Sequence, residues 1–360
     1  MEYYIYVTNK CNLNCSYCSV MLENNSRHLP DKLEYKLKDL RSFVDTIQNT
    51  RPHDTARIYF FGGEPTLDFD TINSIMLSFK DVLAYKVEFI LHTNGLLLDS
   101  IPENILECIE IIVLSINYEK IYIDGKISDY FIKLIHNMSK IKSKKQIPFI
   151  GRLTISEGSS IYSECTLVGD FFDYVYWQLD NQKSLKDVMI YKQQYVREIS
   201  LLFDYWFKFF KEGVVLRYIP FLSIVQHLLY EFPIPQHFYC GYGDDMIYVQ
   251  TDGSCYACCD EVDSKQHFIG DIYNGVEFKN MEISNSICQS CDDLILCGGR
   301  CGRMHKDFEP ERIKHFCEMN KFTFQLVKNH LSEITEIINH YTQYKDIFND
   351  SMMDYTELLP

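Results

Sequence analysis

Cys11, Cys15 and Cys18 fall within one short stretch, CNLNCSYC. Thiolates are soft ligands that suit zinc, copper(I) or iron–sulfur clusters, and a closed structural zinc site or a fully ligated cluster needs four protein ligands. Three leave one position open. The first histidine, His28, is too far along the chain to close the set locally, so the fourth ligand must come from elsewhere or from a small molecule. An open metal position is a catalytic arrangement. Burial as small hydrophobes is common for free cysteines, but it matches poorly a loop that also carries Asn12, Asn14 and Ser16.

A second, denser set follows. Twelve residues separate Cys240 from Gly253 and four separate Gly253 from Cys258; Cys288, Cys291, Cys297, Cys301 and Cys317 then follow with two, five, three and fifteen residues between them. In a reducing compartment, cysteines in such number are metal ligands more often than disulfides. CxxC and CxxxC spacings also build zinc ribbons and knuckles. A two-zinc module, however, wants two local sets of four, and this pattern is long-range and interleaved. Cys108 and Cys165 belong to neither set and read as core residues.

These loops need elements to hold them. Short runs rich in β-branched and aromatic residues predict strands at 3–8, 57–61, 87–92, 109–116, 149–155 and 174–179. Apolar residues at helical spacing predict helices at 31–48, 69–84 and 130–141. Strand, helix, strand in this order implies right-handed crossovers and a parallel sheet, open or closed into a barrel. The rhythm changes with a long helix at 191–211, then Pro220, Pro233 and Pro235, then the cysteine-dense segment, and last a helical stretch at 319–348.

The CxxxCxxC of Cys11, Cys15 and Cys18, with Tyr17 before the last cysteine, resembles the signature loop of the radical S-adenosylmethionine enzymes. In that family three cysteines hold a [4Fe-4S] cluster, and the amino and carboxylate groups of S-adenosylmethionine chelate the fourth iron. Phe61-Gly62-Gly63-Glu64-Pro65 resembles the family's GGEP motif for the methionine amino group. His92-Thr93-Asn94-Gly95 and Leu114-Ser115-Ile116-Asn117 look like its TNG and SIDG stretches, although Asn117 replaces the usual Asp and Tyr118 the usual Gly. The resemblance makes Tyr17, Gly62, Gly63, Glu64 and Asn94 cofactor-binding residues. It offers Ser115 for a ribose or carboxylate contact and Arg152, whose forked donors suit the task, for the methionine carboxylate.

The second set resembles, spacing for spacing, the SPASM domain of peptide-modifying radical enzymes. By motif position Cys288, Cys291, Cys297 and Cys317 would ligate a distal [4Fe-4S] cluster, and Cys240, Cys258 and Cys301 a proximal one. Cys255 or Cys259 could complete the proximal set, or that position could stay open. The implied fold is a partial (β/α)6 barrel over residues 1–190, a helical linker at 191–237, a SPASM domain at 238–317 and a C-terminal helical segment at 318–360.

The implied function is radical maturation of a ribosomally made peptide, with three [4Fe-4S] clusters and a low-potential electron donor, a flavodoxin or ferredoxin. A 5′-deoxyadenosyl radical would take a hydrogen atom from the peptide, and a thioether or a C–C or C–O crosslink would result. Formylglycine formation is the enzyme alternative; in sulfatase maturases an Asp general base follows the cysteine matching Cys258, whereas here Cys259 intervenes and Asp260 comes next. A non-catalytic iron–sulfur or zinc scaffold is the alternative of another class. Only ten residues precede Cys11, so leader recognition is expected on another surface, through a separate partner, or not at all. Composition narrows the partners. Of 360 residues 46% are hydrophobic, enough for a sizeable core, and the net charge of -15 argues against nucleic acid or anionic membranes. With no basic-then-apolar opening and no run of about 18 apolar residues, a cytoplasmic address is expected.

Overall fold

The computed structural model describes residues 1–15, 18, 29–51, 55–181, 187–230, 232–259, 265–278, 283, 286–341 and 344–348. In chain order its main elements are β1 (Glu2–Thr8), α1 (Leu37–Thr50), β2 (Thr55–Gly62), α2 (Phe69–Ser78), β3 (Lys86–Thr93), α3 (Glu103–Cys108), β4 (Ile109–Asn117) and α4 (Asp129–Lys144). Then come β5 (Phe149–Ile155), α5 (Ile161–Gly169), β6 (Tyr174–Leu179), α6 (Val188–Lys211) and α7 (Ile219–Leu229). The strands β7 (Met246–Val249), β8 (Ser254–Tyr256), β9 (Phe268–Asp271) and β10 (Gly275–Val276) follow. Helices α8 (Leu294–Cys297), α9 (Gly302–Asp307), α10 (Pro310–Asn329), α11 (Leu331–His340) and α12 (Tyr344–Phe348) end the chain. Two compact units interleave along the sequence. The first comprises Met1–Ser115, Ser128–Phe149 and Gly241–Asn280, the second Ile116–Ile127, Ile150–Cys240 and Met281–Pro360.

In the first unit β1, β2, β3 and β4 run parallel and adjacent, with Tyr4 opposite Tyr59, Tyr59 opposite Ile90 and Ile90 opposite Ile111. Strands covered on both faces read as continuous apolar runs rather than alternating ones, and IEIIVLSIN in β4 is such a run. On the other edge of β1 lies β7, also parallel, with Tyr248 opposite Tyr4. The antiparallel β8, β9 and β10 extend from it, so a strand from the cysteine-dense segment continues the amino-terminal sheet.

The helix expected over 31–48 starts only at Leu37. Asn9 Nδ2 donates to the Pro30 carbonyl at 2.9 Å and to Thr251 Oγ1 at 2.8 Å, Thr8 Oγ1 donates to the Asp31 carbonyl, and Glu34 N–H donates to the Thr251 carbonyl. These distant partners hold residues 30–34 outside the helix, and tertiary bonds override a weak helical preference. The helix expected over 69–84 stops at Ser78, since Lys80 and Asp81 follow and Leu83 is 98% exposed with nothing to cover it.

The second unit pairs β5 with β6 in parallel, Arg152 opposite Tyr176. Along α6 the side chains of Ile199, Leu202, Phe203, Trp206 and Phe210 are fully buried. Against this helix packs α10, pinned by Lys192 to Glu318 at 2.6 Å and Tyr195 Oη to Thr323 Oγ1 at 2.9 Å. The single stretch expected over 319–348 is three helices. His330 interrupts it, its Nδ1 held 2.9 Å from the Leu326 carbonyl and its ring packed on Phe203 and Phe207. Among the described residues no helix is long and apolar enough to cross a membrane.

Candidate functional site

The cysteine loop leaves the end of β1 and is braced by the ends of β2 and β3. Gly63 N–H donates to the Thr8 carbonyl at 2.9 Å and Glu64 N–H to the Lys10 carbonyl at 2.8 Å. Gly62, at φ +123°, has a backbone that L side chains rarely adopt. A Cβ on Gly63 would stand 2.2 Å from the Lys10 carbonyl oxygen, so glycine is what allows this contact. Cys11, Cys15 and Cys18 are all half-buried. Cys11 Sγ accepts from Leu13 N–H at 3.4 Å, and Cys18 N–H closes a turn on the Cys15 carbonyl at 3.2 Å. Three accessible thiols on one braced loop are a donor set that suits a cluster with one iron left for another ligand.

Glu64 is buried and accepts four hydrogen bonds. Its Oε1 accepts from Thr66 N–H, Thr66 Oγ1 and Thr93 Oγ1, and its Oε2 accepts from Asn94 N–H at 2.8 Å. Asn94 extends the brace, its Nδ2 donating to Asn12 Oδ1 at 2.8 Å inside the cysteine loop. These four donors tie β2 to β3, and through Asn94 to the loop, three of them on Oε1 and one on Oε2. Ser115, near the end of β4, holds its hydroxyl 2.9 Å from His92 Nε2. Two residues on, Asn117 Oδ1 is buried with no hydrogen-bond partner among the described residues. An orphaned acceptor of that kind awaits a donor from a ligand or water. Arg152 is half-buried on β5.

An aromatic floor that motif reading did not find lies beside the loop. Tyr4 stacks on Tyr59 at 4.2 Å and on Tyr248 at 4.6 Å, Phe61 packs edge-on to Tyr6 and to His92, and Cys18 and Cys259 both rest against the group of Tyr6, Tyr248 and Tyr256. Period-two alternation, with Tyr4 and Tyr6 against buried Tyr3, Ile5 and Val7, was the available signal.

In the second unit Cys288, Cys291, Cys297 and Cys317 line one cavity of about 370 Å3, with Cys301 also on its wall. Enclosure pushes the Cys288 thiol up to about 11 and the Cys297 thiol up to about 12, neighbouring thiols adding to both shifts. Burial raises Cys317 as well. Such thiols keep their protons until a metal displaces them, so loading releases protons. Among the described residues no three His, Cys, Asp or Glu side chains gather closely enough to hold one metal ion. Thiols spread around a cavity suit a multi-atom cluster better than a single ion.

Cys258 and Cys259 are half-buried in the first unit, and Cys240 and Cys301 half-buried in the second. Asn181 Nδ2 lies 3.7 Å from Cys301 Sγ. Cys255 differs: it sits inside β8, fully buried, with its thiol directed to the Gly253 carbonyl at 3.7 Å and its pKa raised by burial. Tyr17 and Asp260 lie outside the described residues.

Residues 5–144 match the model of the Radical SAM superfamily. Two curated relatives align with about a quarter of the chain. The uncharacterized protein MJ0907 of Methanocaldococcus jannaschii is 32% identical over 103 residues, 28% of this chain and 33% of that protein. The radical SAM cyclopropyl synthase TigE of Paramaledivibacter caminithermalis is 28% identical over 102 residues, 26% of this chain and 21% of that protein. The aligned part thus spans a third or less of these relatives. Among solved structures, anSMEcpe with bound AdoMet superposes with a TM-score of 0.70 at 19% identity, covering 94% of this chain and 98% of that one. The same protein with AdoMet and the Cp18Cys peptide gives 0.68 at 19% identity over 93% and 99%. Streptococcus suis SuiB bound to S-adenosylmethionine gives 0.55 at 17% identity over 86% and 75%. The mixed α/β fold with its parallel sheet is that of a radical SAM barrel.

Proposed function

We propose that this radical SAM chain matures a ribosomally made peptide, binding S-adenosylmethionine at a [4Fe-4S] cluster on Cys11, Cys15 and Cys18 and installing a thioether or a C–C or C–O crosslink. When bound, that cluster and its cofactor supply one-electron cleavage of the sulfonium and abstraction of a hydrogen atom. The chain's own residues do the rest. Gly62 and Gly63 let the loop lie against β2, Glu64 and Asn94 hold its other side, and the aromatic floor of Tyr4, Tyr6, Phe61 and Tyr248 excludes water beside Cys18. By motif resemblance Arg152, a forked donor, is kept for the methionine carboxylate. The observation that carries the reading is the braced loop of three half-buried thiols at the ends of parallel strands, where such folds place chemistry.

The four thiols around the cavity favour a second cluster on Cys288, Cys291, Cys297 and Cys317. By motif position alone a third is proposed on Cys240, Cys258 and Cys301, and the enclosure of Cys255 favours Cys259 for any remaining position. A peptide as substrate is supported by the neighbour solved with the Cp18Cys peptide. Anaerobically reconstituted protein given dithionite and S-adenosylmethionine is expected to release 5′-deoxyadenosine, and Cys15→Ala is expected to release none. Absence of that product from fully loaded wild-type protein refutes the reading. Coexpression with a short peptide encoded beside its gene, followed by tandem mass spectrometry, identifies the bond formed.

A further inference from the structure

Arg300 stands in the cysteine cavity in a conformation that ordinarily excludes it. Gly298, Gly299 and Arg300 have φ of +55°, +69° and +60°, three left-handed residues in succession between Cys297 and Cys301. Glycine adopts this region freely, whereas a long side chain there is strained. Arginine at the third position therefore costs folding free energy, and such strain points to a functional constraint.

Its side chain adds a second cost. The guanidinium lies over Phe316, 4.7 Å from the ring centre, on the wall shared with Cys297 and Cys317. Its Nη1 is buried with no acceptor among the described residues. A buried N–H of a charged group left unpaired is expensive, so the missing acceptor belongs to something the cavity receives.

The charges around it show what that acceptor is. The acids on this wall have partners of their own: Asp293 with Lys328 at 2.5 Å, and Glu318 with Lys192 at 2.6 Å. Lys321 hydrogen-bonds Cys291, and His305 Nε2 donates to the Gly299 carbonyl at 2.9 Å. Arg300 thus keeps a cation and an unused N–H on the wall of this cavity, close enough to Cys297 and Cys317 to act on both electrostatically. Sulfur atoms of an iron–sulfur cluster accept hydrogen bonds, and both such bonds and nearby positive charge favour the reduced, more negative state.

We infer that Arg300 donates to a sulfur of the cluster held by Cys288, Cys291, Cys297 and Cys317 and raises its reduction potential. This rests on the proposed cluster in that cavity. The test is a potentiometric titration of the loaded protein followed by electron paramagnetic resonance, on wild type, Arg300→Gly and Arg300→Lys. Arg300→Gly removes the guanidinium while relieving the left-handed strain, so it is expected to fold and to keep its iron. One midpoint is expected to fall by at least about 59 mV, the equivalent of a tenfold change in a one-electron equilibrium, with the others unmoved. Arg300→Lys is expected to recover part of the shift. Unmoved midpoints at full iron content overturn the inference, and so does loss of iron from Arg300→Gly, which would make the residue structural. Cys291→Ala separates the two layers: if it leaves wild-type iron and sulfide unchanged, the cluster reading fails rather than the role of Arg300.

Discussion

Replacing Gly63 by alanine sets a methyl carbon against backbone that has no room to move aside. The added Cβ would lie 2.2 Å from the Lys10 carbonyl oxygen, 2.6 Å from its carbon and 2.8 Å from the Asn9 carbonyl oxygen. Carbon and carbonyl oxygen ordinarily meet at about 3.3 Å, so the loop and the end of β2 must part by about 1 Å. Gly63 is not left-handed, and the cost is therefore steric alone. Overpacking of this kind costs about 1–3 kcal/mol. Weakening the bonds from Gly63 N–H to Thr8 and from Glu64 N–H to Lys10 adds about 1 kcal/mol each. The sum, about 3–5 kcal/mol, is less than the total stability of most large domains. The variant should fold with its loop displaced. Because Cys11 follows Lys10 directly, and a 1 Å misplacement can cost about 100-fold in rate, 5′-deoxyadenosine formation should fall at least about 100-fold. Iron should fall from about twelve to about eight atoms per chain, with an unchanged far-ultraviolet circular dichroism spectrum. Gly275→Ala is the control: its φ of +88° strains a side chain by about 1–2 kcal/mol, but the Cβ would meet nothing within 4 Å. Wild-type iron and rate in Gly63→Ala, measured side by side with this control, would show that the glycine contact does not set the loop.

Glu64→Gln replaces one acceptor by a donor facing donors, Thr66, Thr93 and Asn94 N–H. It should cost about 1–3 kcal/mol in the metal-free protein as in the loaded one; unchanged urea unfolding of the metal-free form would contradict the bracing role. Burial, with the Glu198 charge adding, pushes Glu164 up to about 8. A raised acid is favourable below its unfolded pKa near 4.5, and its contribution is lost as pH climbs through about 8, on the order of a few kcal/mol. Urea midpoints of wild type should therefore drop between pH 5 and 9, and those of Glu164→Gln should stay flatter; parallel curves would refute the assignment. Cys255→Ala should lower thermal stability by cavity formation, about 1–2 kcal/mol, and leave iron content unchanged. Loss of iron from that variant would make Cys255 a ligand.

The six strands were legible because each is a short apolar run bounded by turn residues, and the order of strands and helices implied the parallel sheet. The thiols were legible because ligand chemistry demands particular side chains at particular spacings. Helix ends were less so. Residues 30–34 are held out of the helix by Thr8, Asn9 and Thr251, and no local pattern announces a partner more than two hundred residues away. The pairing of Met246–Val249 with β1 was hidden for the same reason.

Glu64 and Arg300 mark the boundary most clearly. Their types and neighbours are written in the chain, GGEP and CGGRC, and suffice to place Glu64 after a strand end and Arg300 among cysteines. That the carboxylate accepts from four donors, and that the guanidinium is left with a buried N–H to spare, emerged only from the folded arrangement. Sequence alone determined which groups could bind metal and which segments could be strands, since both follow from side-chain chemistry and local periodicity. Only the tertiary structure decided which polar atoms find partners, because that depends on atoms brought together from distant parts of the chain by burial of the core around them.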